Sequence, residues 1–511
     1  MSAQPMSIRK GLLYSFFVFA SIISLVMGCH APTRDEQAKL LADKHCGSCH
    51  MPVSPALLDS ATWNDHVLPA MAQRVGIRVW NETSYYPPMP GDPAPAIPFK
   101  EWTEIVAYYQ RNAPAKLLPA KIPVPLRHEW SGFQIGLPQV KDTTSTATVM
   151  VAADTAGNIY TADGYENTLT RWNPELAQSG SWQTHSPVVD IAFRKSPQGG
   201  TLARITQIGD MRAVDKPSGI IADLNLETGS TVDIKPYLQR PVQTISADFD
   251  KDGKEEMVTC AFGHHTGGLI YLKQQADGKY AERTLLDLPG ATKAIPGDFN
   301  NDGWTDLMVL FAAGEEGIWL FENDQKGGFT SKNLLKFPPV YGSTSFQLAD
   351  FNGDGKQDIL YTCGDNADYS IVLKPYHGVY IFLNEGNNQY KQAWFYPVNG
   401  CTKAIAADFN QDGQVDIATI AFFADLENNP GEKFILFQGN KKPFGFTPFA
   451  PPIEKEGHWM TMEVTDIDKD GDLDILLGNY AKGFIVQEEY KPNWKEYQPF
   501  IVLFNTLYAH K

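Results

Sequence analysis

The chain has 511 residues, 43% of them hydrophobic, which supplies apolar material for large cores and for more than one domain. Its 59 acidic side chains outnumber 43 basic ones for a formal net charge of −16, a balance that argues against nucleic acid or an anionic membrane face as partner.

The first 28 residues read as a targeting segment: Arg9 and Lys10 precede an apolar run from Gly11 to Gly28 that ends in Leu25-Val26-Met27-Gly28-Cys29. The small residue before a cysteine resembles a bacterial lipobox. The resemblance implies cleavage before Cys29, lipid on that cysteine and a bacterial cell-envelope protein, membrane-tethered and facing the periplasm or the exterior. An uncleaved N-terminal anchor is the alternative, since about 18 apolar residues are marginally long enough to span.

Thr33 to His45 places Ala38, Leu41, Ala42 and His45 at helical spacing and runs into Cys46-Gly47-Ser48-Cys49-His50. Two cysteines, two spacers and a histidine are the pattern for one covalent haem c: Cys46 and Cys49 form thioethers and His50 is an axial ligand of the iron. A second helix is predicted over Phe99 to Asn112, with Trp102, Ile105, Val106 and Tyr109 on one stripe. Between them, prolines brace the loop Tyr85-Tyr86-Pro87-Pro88-Met89-Pro90-Gly91, which makes Met89 the predicted sixth ligand ahead of Met51, Met71 and His66. The arrangement resembles class I cytochrome c over about residues 34–113, and the domain is set at 29–115. Residues 116–129, with Pro119, Pro123 and Pro125, read as a semi-rigid linker.

From there a repeat dominates. Asp248, Asp250, Asp252 and Glu256 recur as Asp298, Asn300, Asp302 and Asp306, then as Asp350, Asn352, Asp354 and Asp358. Two further copies are Asp408, Asn410, Asp412 and Asp416, and Asp466, Asp468, Asp470 and Asp474. Oxygen ligands at positions one, three, five and nine, with glycine at six for a sharp turn, suit Ca²⁺, so about five ions are expected. Each loop joins two strand-like apolar segments, unlike an EF-hand. The repeats resemble the FG-GAP (VCBS) units of integrin α propellers, most clearly over about residues 240–511. The first aspartates lie 50, 52, 58 and 58 residues apart, a period that fits seven blades into residues 130–511. Two blades without the loop are predicted over Thr146–His185 and Val188–Leu238. The segment Trp130 to Val140 is expected to close the ring as the outer strand of the last blade.

The predicted fold class is therefore a small all-α cytochrome c domain followed by an all-β seven-bladed propeller with calcium-binding loops. With Cys29 given to lipid and Cys46 and Cys49 to haem, Cys260, Cys363 and Cys401 remain. Cys363 and Cys401 either form one disulfide or stay as buried free thiols.

Loops on the face opposite the calcium loops carry His264, His265, Glu315, Glu316, Asp365, Asp368, Tyr369, His377 and Asp425, with Lys293 and Lys403 near the channel mouth. His264, His265, Asp365 and His377 are candidate catalytic or ligand-binding residues against the plainer reading of solvated loops. Two functions follow. One is a tethered electron-transfer protein whose propeller docks a redox partner protein or a carbohydrate. The other is an oxidoreductase that oxidises a sugar or alcohol at the propeller face and passes electrons to the haem.

Overall fold

A computed structural model of the chain describes residues 32–506, apart from 82, 131, 142, 196–199, 368–370 and 484–489. The targeting segment, Cys29, Asp368 and Tyr369 fall outside the described residues. Among the described residues, no helix is long and apolar enough to cross a membrane.

Seven four-stranded antiparallel sheets follow one another along the chain as the blades of a propeller. The second strand of each repeat-bearing blade is buried on both faces: Glu256–Ala261, Asp306–Phe311, Asp358–Cys363, Asp416–Ala421 and Asp474–Asn479 are buried at every position. Neighbouring blades cover both sides of these strands, which is why they read as continuous apolar runs instead of alternating ones. Between blades three and four, for example, Phe249, Val258 and Leu269 pack with Leu307, Val309, Phe311 and Phe321. Full burial of side chains of this size stabilises the fold by about 1.5–3 kcal/mol each.

Blades one and two, Thr148–Gln183 and Val188–Leu238, are the two without the acidic repeat. Blade seven has three strands from the chain end, Trp459–Thr465, Asp474–Asn479 and Phe500–Asn505, and takes its outer strand from Phe133–Gly136. Phe133 stands opposite Asn505 and Gly136 opposite Val502, so the beginning of the propeller is zipped antiparallel onto its end. This is the predicted closure.

Ahead of the propeller lies a helical region. Its first helix is Arg34–Cys46, one residue later at each end than expected because Thr33 is the cap: its hydroxyl accepts the Glu36 N–H while the Glu36 carboxylate accepts the Thr33 N–H. The second long helix is Phe99–Asn112, and the predicted stripe of Trp102, Ile105, Val106 and Tyr109 is its buried face. His45 bonded to Glu101 (2.5 Å) and Arg111 paired with Asp35 (2.5 Å) tie the two helices together. The turns Pro55–Leu57 and Trp63–Val67, a helix Leu68–Arg74, and a hairpin of Arg78–Trp80 with Ser84–Tyr86 fill the space between them.

The helical region rests on the propeller face opposite the acidic loops. Val340 and Val372 join its apolar cluster, the Tyr376 hydroxyl donates to the Leu57 carbonyl (2.9 Å), and Arg74 donates to the His265 ring (2.8 Å). The segment expected to be a spacer is stitched to blades five and six instead. Arg127 N–H donates to Pro448 O (3.0 Å), Ala450 N–H donates to Arg127 O (2.8 Å), and the Tyr396 hydroxyl donates to Val124 O (2.8 Å). The outer strand Phe446–Phe449 is only four residues long, and the segment covers an edge that would otherwise present unpaired backbone groups.

Candidate functional site

Cys46 closes the first helix, and Gly47 to His50 form the turn that follows. Both Cys46 and Cys49 are free thiols; Cys46 is half-buried against the apolar cluster of the helical region and Cys49 is exposed. His50 Nδ1 donates to the Met51 carbonyl (3.0 Å), which fixes the ring through one nitrogen and leaves Nε2 for another partner. In the same cluster Trp102 lies against Tyr85, and its indole Nε1 is buried with no hydrogen-bond partner, as is Asn64 Oδ1. Buried polar atoms of this kind are ordinarily satisfied, so these two are open for a further group. Met89 is 57% exposed on its proline-rich loop, whose backbone is held by Asp92: its carboxylate accepts the Met89 N–H (2.7 Å), and its own N–H donates to Met89 O (3.0 Å). Of the competitors, Met71 packs in the cluster and Met51 lies beside His50.

The turn faces the propeller across a cavity of about 250 Å³. Gly47, His50, Met51 and Pro52 line one side, and Glu315, Glu316, Asn333, Lys336 and Phe337 of blade four line the other. Glu316 is 3% exposed and accepts from the Ser343 N–H (3.1 Å) and hydroxyl (2.7 Å), while burial pushes its carboxyl up to about 8. Both polar atoms of the Asn333 amide are buried without a partner. Sequence reasoning passed over Asn333 and Lys336 because they belong to an outer strand, Phe329–Lys336, whose other residues are mostly solvated.

The acidic loops share one turn, and loops two to five also share the setting of the ninth carboxylate, seen clearly in the second. The Asp298 carboxylate accepts the N–H groups of Asp302 (3.1 Å) and Gly303 (2.8 Å), and Asp302 accepts that of Trp304 (2.8 Å). Asp306, the ninth position, is fully buried and accepts from Phe299 N–H (3.1 Å) and Asn323 N–H (2.8 Å). Gly303 holds φ 82°, and its equivalents Gly253, Gly355, Gly413 and Gly471 hold 80–97°, a region that costs only glycine little. These bonds use one acceptor site on each oxygen and leave others for a cation.

Loop five fits a cation best. Ligand atoms of Asp466, Asp468 and Asp474 lie within 4.8 Å of one another, and Asp466 Oδ1 is buried with no partner. Burial pushes Asp474 up to about 6, and burial with the neighbouring Asp470 charge raises Asp472 too. Loop one brings ligand atoms of Asp248, Asp250 and Glu256 equally close, but there Lys273 Nζ contacts Asp250 and lies 3.2 Å from Asp252 and 3.1 Å from Glu256.

The residues singled out on the opposite face do not form one site. His264 and His265 are on blade three, their rings 3.8 Å apart, and His265 is taken by Arg74, while Asp215 accepts its backbone N–H (2.8 Å). Asp365 and His377 are on blade five, with blade four between, and Asp365 accepts the Ala367 N–H (2.9 Å). His377 is 1% exposed, and burial drives its ring well below the usual histidine range. Lys403 reaches from its inner strand to Met462 O (2.7 Å), and burial together with the Lys403 charge lowers Lys293 to about 8. Cys260, Cys363 and Cys401 are buried free thiols, and Cys363 Sγ donates to Tyr376 O (3.3 Å).

The sequence profile of the FG-GAP-like repeat matches residues 248–309 and 298–361, the stretches that hold loops one to three. These are FG-GAP-like repeats. Among curated relatives, cartilage acidic protein 1 of Mus musculus is 28% identical over 179 residues, which are 33% of this chain and 26% of that protein. Integrin alpha-3 of Mus musculus is 30% identical over 153 residues, 26% of this chain and 14% of that one. A T-cell immunomodulatory protein homolog of Plasmodium falciparum is 28% identical over 129 residues, 24% of this chain and 18% of that one. The chain thus spans about a quarter or less of the length of these relatives. Among solved structures, BBS1N in complex with ARL6DN aligns with a TM-score of 0.44 at 10% identity, covering 76% of this chain and 99% of that one.

Proposed function

We propose that the protein is a membrane-tethered c-type cytochrome of the bacterial cell envelope, anchored by lipid on Cys29, that carries electrons for a partner protein while its propeller serves as a docking platform. The observation that carries this reading is the Cys46-x-x-Cys49-His50 turn at the end of a capped helix, with two free thiols and a histidine whose Nδ1 is already engaged. Haem c, when bound, supplies a one-electron iron couple. Cys46 and Cys49 would attach it, His50 Nε2 and Met89 Sδ would ligate the iron, and Trp102 Nε1 is available to donate to a polar edge of the group. Helix Phe99–Asn112 supplies the apolar wall that keeps water away.

The acidic loops with unmet charge are read as Ca²⁺ sites that brace the propeller and take no part in the redox step. Oxidation of a sugar or alcohol at the opposite face has less support, since His377 is buried and His265 serves the contact with Arg74. A carbohydrate or other polar ligand remains a fitting cargo for the exposed loops of that face.

The ligand assignment is tested by Met89→Ala. The oxidised variant is expected to lose the sulfur-to-iron charge-transfer absorption and to show a lowered midpoint potential, while the covalently bound haem stays in full yield. An unchanged spectrum would transfer the role to Met71 or Met51.

A further inference from the structure

Loop one departs from the other four at two places at once. Its ninth position is Glu256 where the others have aspartate. The third strand of its blade carries Lys273 at the position that strand register matches to Glu322, Leu383, Gln438 and Phe504 in blades four to seven.

The two departures meet in space. In loops two to five the ninth carboxylate accepts one N–H from the loop and a second from the third strand: Asn323 to Asp306 (2.8 Å), Asn384 to Asp358 (2.8 Å), Gly439 to Asp416 (2.7 Å) and Asn505 to Asp474 (2.9 Å). In loop one Glu256 Oε2 keeps the loop contact, with Phe249 N–H at 3.0 Å, but Oε1 turns to Lys273 Nζ at 3.1 Å. The same ammonium contacts Asp250 and lies 3.2 Å from Asp252. Three of the four predicted ligand side chains therefore share one cation that belongs to the chain. Glutamate's extra methylene accounts for the reach that an aspartate lacks. Lys356 in loop three is different, since it pairs with Asp354 alone (2.8 Å).

A calcium ion entering loop one would have to displace an ammonium held by three carboxylates and then sit beside it. Asp248, Asp250 and Glu256 still bring ligand atoms within 4.8 Å of one another, so what stands against Ca²⁺ here is the ammonium over Asp250, Asp252 and Glu256 and not the shape of the loop. We propose that Lys273 is the resident cation of loop one, so that the propeller takes four calcium ions and blade three keeps its loop closed without metal. The count rests on the calcium reading of the other loops; the role of Lys273 does not. Blade three also bears the His265 contact with Arg74, so its hold on the helical region is insulated from loss of calcium.

The test is calcium stoichiometry of the full chain, stripped with chelator and brought to equilibrium dialysis in millimolar Ca²⁺. Wild type should bind four ions and Lys273→Leu, which installs the residue of blade five, should bind five. Asp466→Ala, a control in loop five, should bind three. In chelator Lys273→Leu should melt below wild type, with the gap closing in excess calcium. Five ions on wild type, or four on both wild type and Lys273→Leu, would overturn the proposal. No ion on wild type with one on Lys273→Leu would sink the wider calcium reading and leave Lys273 in its role; none on either would sink both.

Discussion

Replacing Cys46 and Cys49 together by serine is expected to remove haem completely from the denatured chain. A thioether survives denaturation, whereas coordination by the proposed ligands His50 and Met89 would depend on a folded helical region, so the double variant would retain nothing that holds the group once the chain unfolds. Each single variant keeps one thioether and a weaker stain. Haem staining on a denaturing gel, normalised to chain, measures the effect. The propeller should be spared, because its closure between Phe133–Gly136 and Phe500–Asn505 is independent of the Cys46 turn, and far-ultraviolet circular dichroism should retain its strand signal. A double variant that stains like wild type would show that these cysteines do not carry the group.

Calcium removal is the second large effect. A ligand at a hundredfold excess over its dissociation constant stabilises the native state by about 2.7 kcal/mol per site. Four such sites amount to about 11 kcal/mol, which for a body of this size corresponds to a fall in melting temperature on the order of 10–20 °C in chelator. Loop five should yield first, since Asp466, Asp468 and Asp474 converge there with Asp466 Oδ1 unpaired, Asp474 raised by burial and Asp472 raised by burial and the Asp470 charge. Thermal melts at one scan rate, with calcium and with chelator, check this. Coincident melts would mean that the acidic loops stand as solvated turns.

The propeller was largely legible in the sequence because its repeat carries its own ruler. Five acidic loops at 50–58-residue spacing give the blade period, and the closing strand expected within Trp130 to Val140 is Phe133–Gly136. The stripe on Phe99–Asn112 was legible for the same reason, a strict period on an amphipathic helix. Contacts made across strands and between regions were not. Lys273 looks like an ordinary strand-end lysine until register sets it over Asp250, Asp252 and Glu256. His377 has the sequence context of a surface loop, yet its ring is buried, beside the Tyr376 whose hydroxyl holds the Leu57 carbonyl. Residues 116–129 have the proline content of a free spacer, yet Tyr396 of blade five holds Val124 and the short outer edge of blade six holds Arg127. Cys363 and Cys401 begin and end where two blades meet, but the Cys363 thiol is committed to Tyr376 O and no disulfide forms between them.

The central claim, that this chain is an electron carrier with one haem on the Cys46 turn, is tested most directly by spectroelectrochemical titration of the full calcium-loaded protein, made in a host that attaches haem c. The account predicts one haem per chain, a single reversible one-electron transition, and a sulfur-to-iron band in the oxidised form. A chain that carries no covalent haem and takes up no electron under those conditions would contradict it.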